Sequence, residues 1–323
     1  MKKIKIGVIG AGNMGKNHIR LLSEMRSEFD LCGVFDIDEE KVRKIGYGGK
    51  VFASVELLLS SVDAAIIAVP SFLHKEMALK ASEYKVNLLV EKPLALNAND
   101  ATQICDAYKT LDAKILLVGH VERFNPVVQE LEKILKNEKI IAVDIERCSP
   151  ADRRISDTDV IYDLMIHDVD ILLNAIQPNV RFKKLYAFGR TVYNERNVDY
   201  AQAIFKFDNN VQASITASRA TEDKIRKIKV HCEDAFIDCD LLHRGITITR
   251  KTHYKLDTGY SPVYKQENVL ERVFVPNIEP LKAELLYFAD CIRNGKALNN
   301  TGEIAERDLL VLDKIKERVY DEM

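Results

Sequence analysis

The sequence predicts an α/β domain, built on a doubly wound parallel sheet, followed by an α+β domain with a largely antiparallel sheet. In the first third of the chain, short apolar runs alternate with stretches of helical period, which is the pattern of βαβ units. From about residue 182 to 275, apolar and polar residues alternate with period two, which indicates antiparallel strands with one face in water.

The elements of the first domain follow from this alternation. Apolar runs predict strands over 4–10, 31–36, 64–69, 88–92 and 115–119. Amphipathic stretches predict helices over 14–27, 75–84 and 98–110. The third run, Ala-Ala-Ile-Ile-Ala-Val, is apolar at every position, which is typical of a strand covered on both faces.

The second part of the chain begins with a predicted helix over 127–137 and a predicted strand over 140–148. A strongly apolar helix is predicted over 160–176. After the strand-rich region, two further helices are predicted over 281–294 and 303–320.

Length and composition narrow the class of protein. A chain of 323 residues suggests about two domains, predicted at 1–120 and 121–300, with a C-terminal helix, 301–323, that packs back on the first. The 47 basic and 49 acidic residues nearly cancel, which argues against nucleic acid or an anionic membrane as a partner. No apolar run reaches the roughly 18 residues of a membrane span. The six cysteines form no CxxC pair, which indicates reduced thiols and a cytoplasmic location.

A glycine-rich segment at residues 10–15 predicts a nucleotide site. It is a GxGxxG that follows the first strand and opens the first helix, and Asp36 ends the next strand, which completes the dinucleotide fingerprint of the Rossmann fold. The glycines let the backbone approach a pyrophosphate at the helix N-terminus. The Asp36 carboxylate can accept hydrogen bonds from the ribose hydroxyls and would repel a 2′-phosphate. We therefore expect NAD, and the alternative is a purely structural glycine turn. The expected NAD-binding residues of these two segments are Gly10, Gly12, Asn13, Met14, Gly15 and Asp36.

Polar residues follow the next two parallel strands, at the edge of the sheet where a cofactor would lie. Pro70, Ser71 and His74 follow the third strand, and Glu91 and Lys92 follow the fourth. We expect all five to line the cofactor site. For His74, packing beside the cofactor and a plain surface position fit the sequence equally well.

The helix predicted over 160–176 carries a narrow polar stripe. Asp163, His167, Asp170 and Asn174 are spaced 4, 3 and 4 residues apart, so they share one face of an otherwise apolar helix. Because burying unpaired charge is costly, the stripe requires partners, which a cleft for cofactor and substrate would supply. The alternative for a lone histidine in such a helix is a satisfied core residue. No metal site is predicted.

Taken together, these segments resemble the Gfo/Idh/MocA oxidoreductase family over nearly the whole chain. The likeness includes GAGNMG, AVPSFLH, EKP, GHVERFNP, DLMIH and the final TGEIAERDLLVLDKIKE. The family's catalytic set is the Lys of EKP with Asp-x-x-x-His, which Lys92, Asp163 and His167 match. The resemblance implies a sugar dehydrogenase with an open-faced second sheet that pairs subunits into a homo-oligomer. Many family members have a cis peptide bond before the proline of EKP, so the resemblance implies one here as well.

The implied reaction is oxidation of a secondary alcohol, in which hydride passes from a sugar carbon to the nicotinamide. His167 is the expected base, because histidine titrates near neutrality. Lys92 would hydrogen-bond the same oxygen and stabilise its developing negative charge. Asp163 would orient His167 or the substrate. Lys92 is the alternative base, if desolvation lowers its pKa.

Within the family, residues 149–173 are most similar to the UDP-N-acetylglucosamine 3-dehydrogenase branch. A nucleotide diphosphate requires cationic partners, for which Arg153 and Arg154 are the candidates and Arg123 and Arg147 are weaker ones. The alternative for the arginine pair is a solvated surface position. Oxidation of inositol or of a free sugar, and a non-catalytic NAD-binding sensor, are the alternative functions.

Overall fold

The computed structural model describes residues 2–151, 158–193, 196–257 and 262–323, and it describes their side chains outside 252–267. The chain forms two compact units. Unit 1 comprises Met1–Val121 and Glu279–Asp313, and unit 2 comprises Glu122–Ile278 and Lys314–Met323.

The first unit contains a five-stranded parallel sheet, which confirms the predicted fold class. Its strands are β1 (Ile4–Ile9), β2 (Phe29–Phe35), β3 (Ala64–Ile67), β4 (Asn87–Glu91) and β5 (Leu116–Gly119). They lie in the order β2-β1-β3-β4-β5. The order reverses between β1 and β3, and ligands of such sheets bind beside the carboxyl ends of the strands at this switch point.

Three of the five helices between these strands begin at a side-chain cap. They are α1 (Asn13–Glu24), α2 (Glu39–Lys44), α3 (Val55–Leu59), α4 (His74–Glu83) and α5 (Ala98–Lys109). The side chains of Asp38, Ser54 and Asn97 accept hydrogen bonds from the backbone N–H groups of the first turns of α2, α3 and α5. Helices α2 and α3 are only six and five residues long, too short to show a helical period in the sequence.

The second unit contains an eight-stranded sheet in the order β13-β12-β11-β10-β6-β9-β8-β7. Its strands are β6 (Ile140–Cys148), β7 (Phe182–Arg190), β8 (Tyr200–Phe207), β9 (Gln212–Ser218), β10 (Ile225–Cys232), β11 (Ala235–Asp240), β12 (Gly245–Asp257) and β13 (Pro262–Val273). In the part of the chain that the structure describes, β6 and β9 form the one parallel pair of this sheet. Along β8, Ala203 and Phe205 are buried while Ile204 is exposed, as the alternation predicts.

Helix α6 (Pro126–Leu135) precedes β6, and a second helical segment follows β6 over 161–176. Its centre is α7 (Ile166–Ile171), with wider π-helical turns on either side, Ile161–Met165 and Leu172–Ile176. The N–H of Gln177 donates to the carbonyl of Leu172, five residues back. The helix predicted over 160–176 is therefore present but is not a regular α-helix, and π-turns of this kind are frequent at functional sites.

Two helices, α8 (Pro280–Asn294) and α9 (Gly302–Asp321), follow the large sheet. Leu285 and Phe288 of α8 are fully buried in the core that surrounds β1, which places this helix in unit 1. This division differs from the predicted one, which placed 279–300 in the second domain and described 301–323 as a separate C-terminal helix that packs back on the first. Helix α9 belongs to unit 1 as far as Asp313, whose carboxylate accepts from the N–H of Ala98, whereas Lys314–Met323 belongs to unit 2. Among the described residues, no helix is both long enough and apolar enough to cross a bilayer.

Candidate active site

The glycine-rich loop after β1 is shaped by two of its glycines. Gly10 has φ +100°, and a Cβ atom there would lie 2.5 Å from the carbonyl oxygen of Ala68. A Cβ atom on Gly15 would overlap the carbonyl oxygen of Gly10. Only glycine therefore allows the loop to lie against the end of β3 and allows α1 to begin directly behind the loop.

The third glycine, Gly12, is different, because a Cβ atom there would meet no atom within 4 Å. Its backbone faces open space beside the N-terminus of α1, where unpaired N–H groups and the helix dipole favour an anion. The space is part of a cleft of about 810 Å³, a volume suited to a cofactor. The predicted cofactor residues that line this cleft are Gly10, Gly12, Asn13, Met14, Asp36, Pro70, His74, Glu91 and Lys92. Gly15 and Ser71 belong to the same loops but are not part of its lining.

Asp36, at the end of β2, both lines the cleft and holds the glycine-rich loop. One carboxylate oxygen accepts from the N–H of Ala11 at 2.7 Å, and the other accepts from the N–H of Asp38 at 2.9 Å. The negative charge is therefore fixed at the wall of the cleft by the backbone on both sides. Each oxygen keeps a second lone pair that can accept a further hydrogen bond.

His74 joins the loop after β3 to the turn after β4. It is 1% exposed, with Nδ1 2.7 Å from the carbonyl oxygen of Pro93 and Nε2 3.0 Å from that of Val69. Burial lowers the pKa of His74, although the two carbonyls act in the opposite direction. Of the two positions that the sequence left open, the buried one beside the cleft is observed. The neighbouring Lys92–Pro93 peptide is cis.

In unit 2, the predicted catalytic carboxylate Asp163 forms an ion pair with Arg219. The Nη2 atom of Arg219 lies 3.0 Å from Oδ2 of Asp163, and its Nη1 atom donates to the carbonyl of Thr158 at 2.7 Å. Arg219 is buried and directly follows β9. Sequence reasoning missed this residue, because nothing in the local pattern of β9 links it to a carboxylate 56 residues away.

A buried charge network surrounds Asp168, the residue that follows His167. The guanidinium of Arg147 contacts both carboxylate oxygens of Asp168 at 2.9 Å and Glu122 at 3.1 Å, while Arg226 contacts Glu122 at 2.8 Å. Burial raises the pKa of Asp168. Burial opposes ionisation of Glu122 as well, but the two arginines outweigh it and hold the pKa of Glu122 below its usual range. Arg147 was a weaker candidate for substrate contact. Its guanidinium is instead paired with the carboxylates of Asp168 and Glu122 inside this network.

The rest of the polar stripe also has partners. The Nε atom of Arg123 lies 3.8 Å from Asp170, and the side-chain amide of Asn174 donates to Asp170 at 2.9 Å. The stripe therefore includes a structural part, formed by Asp170 and Asn174. The predicted catalytic set is divided between the units, with Lys92 in unit 1 and Asp163 and His167 in unit 2. Arg153 and Arg154 lie outside the described residues.

Comparison with known proteins identifies the family. Residues 4–120 match the GFO/IDH/MocA model, described as an oxidoreductase family with an NAD-binding Rossmann fold, and residues 144–238 match the GFO/IDH/MocA C-terminal domain. The chain is 30% identical to a UDP-N-acetylglucosamine 3-dehydrogenase of Acidithiobacillus ferrooxidans over 253 residues, 77% of each chain. The chain belongs to the GFO/IDH/MocA oxidoreductase family. It is therefore an oxidoreductase whose first domain binds NAD, in a family of NAD-dependent sugar dehydrogenases.

The chain is also similar to a solved structure and to a second curated relative. The solved structure of UDP-N-acetylglucosamine 3-dehydrogenase GnnA from Acidithiobacillus ferrooxidans has a TM-score of 0.88 and 26% identity, covering 99% of this chain and 98% of the other. Inositol 2-dehydrogenase 1 of Paenarthrobacter aurescens is 33% identical over 144 residues, 43% of each chain.

Gly12 and Gly15 are expected to respond differently to alanine. Gly12→Ala is expected to unfold at the wild-type temperature and to bind NAD about tenfold or more weakly, a loss of about 1.4 kcal/mol, because the methyl group occupies space at the helix N-terminus. Gly15→Ala is expected to lower the unfolding temperature itself. NADH fluorescence titration and thermal unfolding measure the two effects. Gly48→Ala is the matched control, since its Cβ atom also enters open space but lies outside the cleft. Unchanged NAD affinity in Gly12→Ala would exclude a close approach of the cofactor at this position.

Proposed function

We propose that this GFO/IDH/MocA member oxidises the 3-hydroxyl of UDP-N-acetylglucosamine or of a close relative, with NAD as oxidant. The observation that carries the proposal is a likeness to UDP-N-acetylglucosamine 3-dehydrogenase that combines 30% identity over 77% of the chain with a TM-score of 0.88 over 99% of it. A levoglucosan dehydrogenase covers as much of the chain in its structure, but at 17% identity and a TM-score of 0.81. The likeness to an inositol dehydrogenase covers 43%. The proposed substrate contacts come from both domains, so a relative that matches both domains is the better guide to the substrate.

The proposed roles follow from the chemistry of each side chain. When bound, NAD accepts the hydride that leaves the sugar carbon. Lys92, in the wall of the cleft, donates a hydrogen bond to the hydroxyl oxygen and stabilises its developing negative charge. His167 accepts the hydroxyl proton as the C=O bond forms. Asp163, held by Arg219, orients His167 or the substrate. Arg153, Arg154 and Arg123 are the proposed contacts for the diphosphate, although the charge of Arg123 also faces Asp170.

Direct assay tests the proposal. Purified protein with NAD is offered UDP-N-acetylglucosamine, the corresponding uronic acid, myo-inositol and glucose, and NADH formation is followed by absorbance. An aminotransferase with glutamate draws off the keto product. Turnover of the nucleotide sugar, absent in Lys92→Met, supports the proposal. Turnover of inositol or glucose alone would contradict the proposed substrate but would still agree with the proposed reaction, oxidation of a secondary alcohol by NAD. If the protein binds NAD but oxidises none of the four compounds, the alternative function of a non-catalytic NAD-binding sensor would be favoured.

Asp36 is the proposed determinant of NAD over NADP. Asp36→Asn is expected to lower the ratio of kcat/KM for NAD over NADP by about tenfold or more, because removing the charge relieves about 1.4 kcal/mol of repulsion toward a 2′-phosphate. The amide oxygen can keep one of the two backbone hydrogen bonds, to Ala11 or to Asp38. The matched control is Asp38→Asn, which removes a charge two residues away, outside the cleft lining. An unchanged ratio in Asp36→Asn would show that Asp36 does not face the ribose.

A homo-oligomer is part of the same proposal. On the outer face of β7 and β8, the side chains of Tyr186 and Ile204 are cross-strand partners and are 51% and 40% exposed, beside Phe188 at 52%. Apolar side chains exposed side by side favour an interface. Light scattering is expected to give a multiple of the monomer mass. The double variant Tyr186→Lys/Ile204→Lys is expected to have a lower mass in solution. Leu286→Lys, on α8, is the control. A wild-type monomer at micromolar concentration contradicts this expectation.

A further inference from the structure

The turn that carries Lys92 is held on both sides by buried histidines from other elements. His74 holds the carbonyl of Pro93, the residue after Lys92. His18, on α1, holds the side chain of Glu91, the residue before it, with Nε2 2.7 Å from Oε1. His18 is 0% exposed and does not line the cleft, so it has no part in the roles proposed above. We propose that His18 is a positioning residue that fixes Lys92 through the carboxylate of Glu91.

The surroundings of His18 show which of its ring nitrogens donates to Glu91. Its Nδ1 atom is buried and has no hydrogen-bond partner among the described residues. A proton on Nδ1 would therefore be buried without an acceptor, which is unfavourable, so the single ring proton lies on Nε2 and points at Glu91. Nε2 of His18 therefore donates to a carboxylate, and hydrogen bonds of this charge-assisted kind are short and strong.

Glu91 has little freedom to find another donor. It is 6% exposed, and a Cβ atom on Gly119, at the end of β5, would lie 3.1 Å from its Oε2 atom. The carboxylate therefore lies between α1 and β5, in a space that a Cβ atom on Gly119 would crowd. Because a buried carboxylate without its donor is costly, loss of the His18 hydrogen bond drives Glu91 toward water. The backbone of Lys92 moves with it.

A displacement of Lys92 affects the reaction more than the binding of NAD. Reaction rates depend steeply on the position of the group that contacts the reacting oxygen, and misplacement by about 1 Å lowers them by about 10²-fold. NAD is bound by the whole cleft, in which Lys92 is one of many lining residues. A positioning role therefore predicts a fall in kcat with little change in KM for NAD.

The test compares two substitutions of similar size. His18→Leu removes the donor and is expected to lower kcat by about 10–100-fold, with KM for NAD within about threefold of wild type. His18→Gln keeps an N–H donor and is expected to recover most of the loss. In His18→Leu, the further change Glu91→Gln removes the buried charge and is expected to recover part of kcat. His243→Leu, at an exposed histidine, is the control.

This inference rests on the proposed role of Lys92, so the test includes a readout that needs no substrate. The rate at which an acylating reagent modifies Lys92 is followed by mass spectrometry against that of exposed lysines. His18→Leu is expected to change this rate, and His18→Gln to restore it. If neither variant alters kcat or the labelling of Lys92, or if Gln and Leu are equally impaired, the positioning role is wrong. If labelling responds as expected but wild-type protein oxidises no sugar, the proposed function fails and the positioning role stands.

Discussion

Replacing Lys92 by methionine is expected to lower kcat by about 10²–10⁴-fold, the range of a lost general acid–base or charge-stabilising group, while NADH binds almost as in wild type. Methionine keeps the apolar stem and the volume of the side chain but has no ammonium group. The hydroxyl oxygen then develops its negative charge without a cationic donor. Rates of NADH formation give kcat, and the NADH fluorescence titration gives the binding constant.

The control for Lys92→Met is Lys109→Met, because Lys109 is half-exposed, pairs with Asp106 on α5 and lies outside the cleft. It is expected to behave as wild type. Turnover in Lys92→Met within about tenfold of wild type would remove Lys92 from the reaction, since a group of this kind contributes far more than that.

A third variant distinguishes the two candidate bases. His167→Gly should lose turnover to the same extent as Lys92→Met, and added imidazole should restore part of it if His167 takes the proton. Rescue of Lys92→Gly by small primary amines, without rescue of His167→Gly by imidazole, would instead identify Lys92 as the base.

The largest effect on stability is expected at Arg147. Arg147→Met should lower the free energy of unfolding by about 3–5 kcal/mol, because it leaves the buried carboxylates of Asp168 and Glu122 without their shared cation. Arg226 still neutralises Glu122, so the uncompensated charge is concentrated on Asp168 beside His167. Thermal and urea unfolding measure the effect.

Two comparisons isolate the charge from the volume of Arg147. Lys139→Met removes an exposed cation that pairs with Glu233 in the same unit and is expected to change stability by no more than about 1 kcal/mol. Arg147→Met combined with Asp168→Asn should recover part of the loss, since the second change removes the uncompensated charge. Equal stability of Arg147→Met and Lys139→Met would mean that the network contributes nothing.

The sequence by itself determined two things: the secondary structure that carries the site, and the family to which the chain belongs. The glycine-rich loop, the parallel strands and the strand Ile140–Cys148 were predicted because their signals are local: a period of two or 3.6, a glycine where φ is positive, an acidic residue at a strand end. The segments that carry Lys92 and His167 were predicted on the same basis, together with a resemblance that the family comparison confirmed.

Only the tertiary structure decided which residues hold these segments. Arg219 pairs with Asp163 across 56 residues, and His18 pairs with Glu91 across 73. In the sequence, each of the four is a single charged or polar residue, with nothing nearby to indicate its partner. Such partners are selected by where the strands and helices come together and by the cost of burying a charge alone. That free energy depends on the folded structure, so it leaves no periodic pattern in the local sequence.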